Sequence, residues 1–137
     1  MNLINLFDNS RHIQEFEPGK TIFEEGTPGD FMYVILDGEI EVRVRHELIE
    51  VLGPGEILGE MALIDTNPRS ATAVAKSKCR LAFVDERSFL FMVEETPSFA
   101  LHVMRVLAHR LRRTMGVTEG ESPLHLPGAR SATAPQG

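Results

Sequence analysis

Between Phe16 and Val84 the chain alternates apolar and polar residues in short runs, each closed by glycine, proline or aspartate. Pro18-Gly19 predicts a turn, Thr21-Ile22-Phe23 a strand, and Gly26-Thr27-Pro28-Gly29-Asp30 a second turn. Phe31 to Leu36 reads as a strand, and Asp37-Gly38 carries the signal of a tight hairpin. Ile40, Val42 and Val44 then alternate with Glu39, Glu41, Arg43 and Arg45, as in a half-buried strand with one solvated face. A turn near His46-Glu47 leads to a strand over Leu48 to Leu52, and Gly53-Pro54-Gly55 turns again. A last strand is expected over Arg80 to Asp85. Many short strands separated by turn residues predict a mainly β domain, a sandwich or barrel with the jelly roll as the natural candidate.

Both ends follow a different pattern. Leu3 to Ile13 reads as a short amphipathic lead-in, with Leu3, Ile4, Leu6 and Phe7 on one side. After Asp85 the period becomes helical. Glu86 to Val93 predicts a short helix, Thr96-Pro97 a break, and Pro97 or Ser98 the start of a longer helix. On that helix Ala100, Met104, Leu107, Ala108, Leu111 and Met115 share one face, and Phe99, Val103 and Val106 widen it. The arc exceeds what one packing surface needs, which points either to a second contact with another copy of the same helix or to a wide stripe wholly buried within one chain. Its basic end, with Arg105, Arg110, Arg112 and Arg113, complements the helix dipole. From Gly116 onward, small and turn-forming residues dominate without apolar periodicity. The expectation is a domain over residues 1–116 and a disordered tail over 117–137.

One stretch breaks the strand pattern. In Ile57 to Ala75, Gly59 precedes Glu60-Met61-Ala62-Leu63-Ile64, a run of helix formers long enough for about one or two turns. Asp65-Thr66-Asn67-Pro68 forms a loop, and strand alternation resumes over Arg69 to Val74. The chemistry points to an anion site. Gly59 admits close approach of a ligand to the main chain, and a short helix after it presents unpaired N–H groups. Arg69 offers a planar fork of donors suited to phosphate, and Ser70 adds a hydroxyl. Glu60 would repel a bare phosphate. It fits a ligand that also presents a hydroxyl nearby, as a ribose cyclic phosphate does with its 2′-hydroxyl.

These residues resemble the phosphate-binding cassette of cyclic nucleotide-binding domains, which runs Gly-Glu-x-Ala-Leu, a loop, then Pro-Arg-Ser/Thr/Ala-Ala. Here they are Gly59-Glu60-Met61-Ala62-Leu63 and Pro68-Arg69-Ser70-Ala71. Upstream, Phe16-x-Pro18-Gly19, Ile22-Phe23-x-x-Gly26, Gly29-Asp30, Tyr33-Val34-Ile35 and Gly38-x-Ile40-x-Val42 match the same family in order. The resemblance spans about residues 7 to 115. It implies a β jelly roll (a double-stranded β-helix) with flanking helices and a long C-terminal helix. It implies that Glu60 holds the ribose 2′-hydroxyl and that Arg69 and Ser70 hold the cyclic phosphate, assisted by N–H groups near Ala62 and Leu63. Arg110-Leu111-x-x-Thr114 resembles the segment of bacterial cyclic-AMP regulators in which a threonine reaches the adenine. Serine after Arg69 and threonine at 114 look like a cyclic-AMP binder, with cyclic GMP as the alternative ligand. Family members with a bacterial-regulator layout dimerise through the helix that corresponds to residues 98–115.

Composition narrows the function. A chain of 137 residues predicts one domain, and its net charge of −6 argues against direct nucleic-acid binding. A single cysteine, Cys79, fits a reducing compartment, and the N-terminus reads as neither signal peptide nor membrane span, so the expected location is cytoplasmic. A metal-dependent cupin would need clustered histidines on facing strands. His12, His46, His102, His109 and His125 are scattered, so neither metal site, cofactor nor catalytic group is expected. The expected function is a stand-alone cyclic nucleotide sensor acting through a protein partner or a change of assembly. The alternatives are the sensor half of a transcriptional regulator, although no helix-turn-helix is read after Gly116, and an interaction module that has lost its ligand.

Overall fold

The computed structural model describes residues 1–65 and 67–116, so the expected tail and Thr66 of the expected loop lie outside the described residues. The described elements are α1 (Leu3–Phe7), β1 (Ile13–Phe16), β2 (Thr21–Phe23), β3 (Met32–Asp37), β4 (Ile40–Val44) and β5 (Glu47–Leu52). They continue with β6 (Ile57–Leu58), α2 (Met61–Ile64), β7 (Thr72–Ala75), β8 (Cys79–Val84), α3 (Glu86–Glu95) and α4 (Ser98–Thr114). By its contacts the chain divides into one unit over Met1–Glu94 and a second that begins at Glu95.

In the first unit the strands form two four-stranded antiparallel sheets, ordered β1-β8-β3-β6 and β2-β7-β4-β5. This is the expected jelly roll. Tyr33, Ile35, Leu58 and Leu81 from the first sheet cluster with Ile40, Leu52, Ala73 and Ala75 from the second to make the core. Strand β3 shows what a central position demands, since Met32 to Leu36 are all buried rather than alternating.

The Asp37-Gly38 signal is corrected by the topology. β3 and β4 do not form a hairpin but enter different sheets. Gly38 turns a corner with φ +89°, and a Cβ there would strike the Lys78 carbonyl oxygen and meet Cys79 Sγ at 2.8 Å. Hydrogen bonds from Lys76 N–H to Glu39 O (2.9 Å) and from Glu39 N–H to Ser77 Oγ (3.0 Å) hold that corner. The true tight hairpin joins β4 to β5 through Arg45 and His46, whose φ values of 53° and 70° are left-handed.

Three other expectations shift. The lead-in is helical only over Leu3–Phe7, and Ile13–Phe16 pairs with β8 as a strand. Ile57–Leu58, placed in the irregular stretch, is a short strand on β3. The strand expected from Arg69 begins at Thr72. α1 is tied down by Arg80, which donates to Asp8 (2.7 Å) and Asp37 (3.0 Å).

In the second unit, α4 runs over the expected range. Its buried residues are Phe99 and Val103, expected only to widen the apolar arc, while Leu101, Met104, Leu111 and Met115 are exposed. The large Phe99 ring takes the buried side because it removes the most apolar area from water.

Candidate functional site

The cassette is built at the end of β6. Gly59 leaves the strand with φ +75°, a left-handed conformation that glycine adopts without steric cost, and α2 follows at once. A Cβ at Gly59 would lie 2.6 Å from Arg69 Nη1 and 3.3 Å from both the Phe23 ring and the Phe31 carbonyl oxygen. The absent side chain is thus the space in which the arginine sits.

Arg69 belongs to no strand, yet its backbone is fixed. Its N–H donates to Thr27 O (2.8 Å), and Gly26 N–H donates to Arg69 O (2.8 Å). The side chain turns inward and is only 8% exposed. Nη2 donates to Phe31 O (2.8 Å) and Nη1 to Gly59 O (3.2 Å). The guanidinium carbon lies 4.1 Å from the Phe23 ring centroid and 6.0 Å from that of Tyr33, a cation–π arrangement. Nε is buried and makes no hydrogen bond among the described residues. Burial pulls the Arg69 pKa down from its ordinary value, and the charges of Tyr33, Asp30 and Glu60 act in the opposite direction. Burial also raises the Tyr33 pKa, with Arg69 lowering it in part.

Glu60 is 4% exposed, and its carboxylate does not cap the helix it precedes. Glu60 and Arg69 are thus both buried, and the Glu60 charge is among those that act on the Arg69 guanidinium. Ser70 is exposed beside Arg69, Met61 is exposed, and Ala62, Leu63 and Ala71 are half-buried. The amides of Ala62 and Leu63 differ from the expectation of unpaired donors. Ala62 N–H donates to Gly59 O (3.2 Å) and Leu63 N–H to Glu60 O (3.1 Å), because so short a helix closes its own first turn with i to i−3 bonds. Thr114 belongs to the second unit, where its hydroxyl donates to Arg110 O (3.0 Å).

Sequence reasoning missed the residues that hold Arg69. Phe23 and Tyr33 read as ordinary strand residues, and the Phe31 contribution is a carbonyl, which leaves no mark in the side-chain pattern. Gly29 was legible as a turn residue and as a position of the family pattern, with nothing to tie it to Arg69. A separate groove of about 480 Å³, lined among others by Phe7, His12, Phe83, Arg87 and Phe91, has no cassette residue in its wall. Among the described residues no group of three metal-capable side chains converges, and no helix is long and apolar enough to cross a membrane.

The profile of the cyclic nucleotide-binding domain matches residues 13–96. The chain belongs to the cyclic nucleotide-binding domain family. It is 32% identical over 105 residues to a CRP-like cAMP-activated global transcriptional regulator of Mycobacterium tuberculosis, covering 73% of this chain and 47% of that protein. A cGMP-dependent protein kinase of Plasmodium berghei is 44% identical over 72 residues, covering 53% of this chain and 8% of the kinase. The crystal structure of the Thermus thermophilus catabolite activator protein superposes with a TM-score of 0.69 at 32% identity, over 74% of this chain and 50% of that one. The chain thus spans about half the length of the bacterial regulator it matches. This cyclic nucleotide-binding domain is related both to CRP-like regulators and to cGMP-dependent kinases.

Proposed function

We propose that this domain is a cyclic nucleotide sensor without catalytic activity of its own, with cyclic AMP as the preferred ligand. The observation that carries the reading is Arg69, a nine-tenths-buried guanidinium whose Nε has no hydrogen-bond partner among the described residues, set in the field of the buried Glu60 carboxylate. A buried cation with an unused donor calls for an anion, and the resemblance assigns Glu60 to a hydroxyl on the same ligand. A ribose cyclic phosphate supplies both. Glu60 takes the 2′-hydroxyl, and Arg69 with Ser70 takes the phosphate. The Ala62 and Leu63 amides assist by sharing their turn bonds with a phosphate oxygen, as bifurcated donors at helix ends do. Gly59, Met61 and Ala71 supply the backbone around it. Thr114 is assigned to the adenine on the resemblance alone.

Titration calorimetry with cyclic AMP and cyclic GMP tests the ligand. Cyclic AMP is expected to bind more tightly, and a preference for cyclic GMP would reverse the ligand assignment. The role of Glu60 has its own test. Glu60→Gln should weaken cyclic AMP by about 1.5–3 kcal/mol, the worth of a hydrogen bond to a charged group. It should cost 2′-deoxy cyclic AMP far less, and equal losses for the two ligands would remove Glu60 from the ribose.

The α4 helix supports a homodimer as the sensing assembly, with a further protein partner or a change of assembly as the output. Its exposed Leu101, Met104, Ala108, Leu111 and Met115 recur at spacings of three and four, the pattern of a two-helix seam. Placing a charge in that seam should separate the protomers. Leu111→Glu is expected to sediment as a monomer at concentrations where the native chain is a dimer, and an unchanged sedimentation coefficient would exclude this face.

A further inference from the structure

We propose that Gly29 is a positioning residue for Arg69, its missing side chain being the space that holds the guanidinium in place. This inference rests on the cyclic nucleotide reading of the cassette and adds a residue to it from outside the cassette.

The glycines of this segment have different reasons to be glycine. Gly26 has φ +86° and nothing within 4 Å of where a Cβ would stand, so its requirement is conformational. Gly29 is the reverse case. Its φ lies outside the left-handed region, so the backbone itself would accept a side chain. The three atoms nearest a Cβ at Gly29 are all in the Arg69 guanidinium group. They are Nε and Cζ, which it would overlap outright, and Nη2 at 2.8 Å. One methyl group at position 29 is therefore incompatible with the observed place of Arg69.

What yields decides the outcome. The arginine head ends a flexible side chain, whereas the Gly29 backbone belongs to the loop whose Thr27 and Gly26 bond the Arg69 main chain. The head should move, abandoning Phe31 O, Gly59 O and the Phe23 ring. The fold then survives while the donor fork is no longer aimed. A planar fork recognises phosphate only when held close to its productive geometry. The glycine thus acts on the ligand only through the arginine.

The test combines Gly29→Ala, Arg69→Ala and the double variant with urea unfolding, cyclic AMP titration and the NMR signal of the Arg69 Nε–H group. Gly29→Ala is expected to shift that signal and to weaken cyclic AMP on the order of tenfold or more. In the Arg69→Ala background the same substitution should leave the unfolding midpoint unchanged, because the obstacle is gone. Native-like affinity and an unshifted Nε signal in Gly29→Ala would overturn the proposal, as would an equal loss of stability in both backgrounds. If Gly29→Ala does not fold, a folded double variant supports the proposal, and an unfolded double variant assigns Gly29 to the loop instead. Failure of the native chain to bind either nucleotide refutes the sensor reading. The Nε signal and the stability cycle then still decide the role of Gly29.

Discussion

Arg69→Ala is expected to reduce cyclic nucleotide affinity by about 3 kcal/mol or more, roughly a hundredfold or greater loss in Kd. The size follows from burial. A guanidinium 8% exposed would meet a phosphate with little competing water, so each charge-assisted bond would be worth about 1.5–3 kcal/mol, and a planar fork can make two of them. The cost to folding should be much smaller. The free protein loses two hydrogen bonds and the ring contacts with Phe23 and Tyr33, but it also no longer desolvates a cation. Arg69→Lys separates charge from shape. A lysine keeps the positive charge but not the planar fork, so its affinity should fall between native and alanine. Calorimetry beside urea unfolding measures both terms. An alanine variant that binds within about twofold of the native protein would take Arg69 out of the ligand site, since an aimed, buried fork cannot be lost so cheaply.

The residues of the candidate site were largely legible in the sequence, and the reason is local. Gly59, Glu60, Arg69 and Ser70 lie within one short stretch, and their types declare an anion, a hydroxyl and close backbone approach without any knowledge of the strands. What holds Arg69 was not legible. The Phe31 carbonyl is common to every residue, and the Gly29 space exists only because the turn before β3 passes over the arginine. The fold divides in the same way. Alternation reveals that Ile40 to Val44 is a strand, but it cannot name the partner strand. β1 was missed because Ile13–Phe16 is stabilised by β8, far along the chain, and β6 because two residues are too few to show a period. Asp37-Gly38 misled because a left-handed glycine serves a corner between sheets as well as a hairpin, and the deciding contact with Lys78 and Cys79 is not local.

That corner carries the largest expected effect on stability. Gly38→Ala should destabilise the domain by about 3 kcal/mol, from about 1–2 kcal/mol for a left-handed alanine and about 1–3 kcal/mol for the overlap. The overlap is expensive because the Lys78 carbonyl and the Cys79 Cα (2.9 Å from the Cβ position) are backbone, and β8 begins there. The nearby thiol is no freer, since Cys79 Sγ is bonded to Ser77 O (3.1 Å) and Glu39 O (3.2 Å). Gly19→Ala supplies the control. Gly19 has nearly the same φ, +87°, with nothing within 4 Å of the Cβ position, so it should lose only the conformational part, about 1–2 kcal/mol. The difference between the two variants in urea unfolding then isolates the steric cost of crossing from one sheet to the other. Set against the 5–15 kcal/mol that typically holds a domain together, Gly38→Ala should lower Tm by about 10 °C, yet leave affinity per folded molecule unchanged. Equal losses for the two alanines would mean that β8 yields freely at the corner, and the packing of Gly38 against Lys78 and Cys79 would no longer account for how β3 and β4 are sent to different sheets.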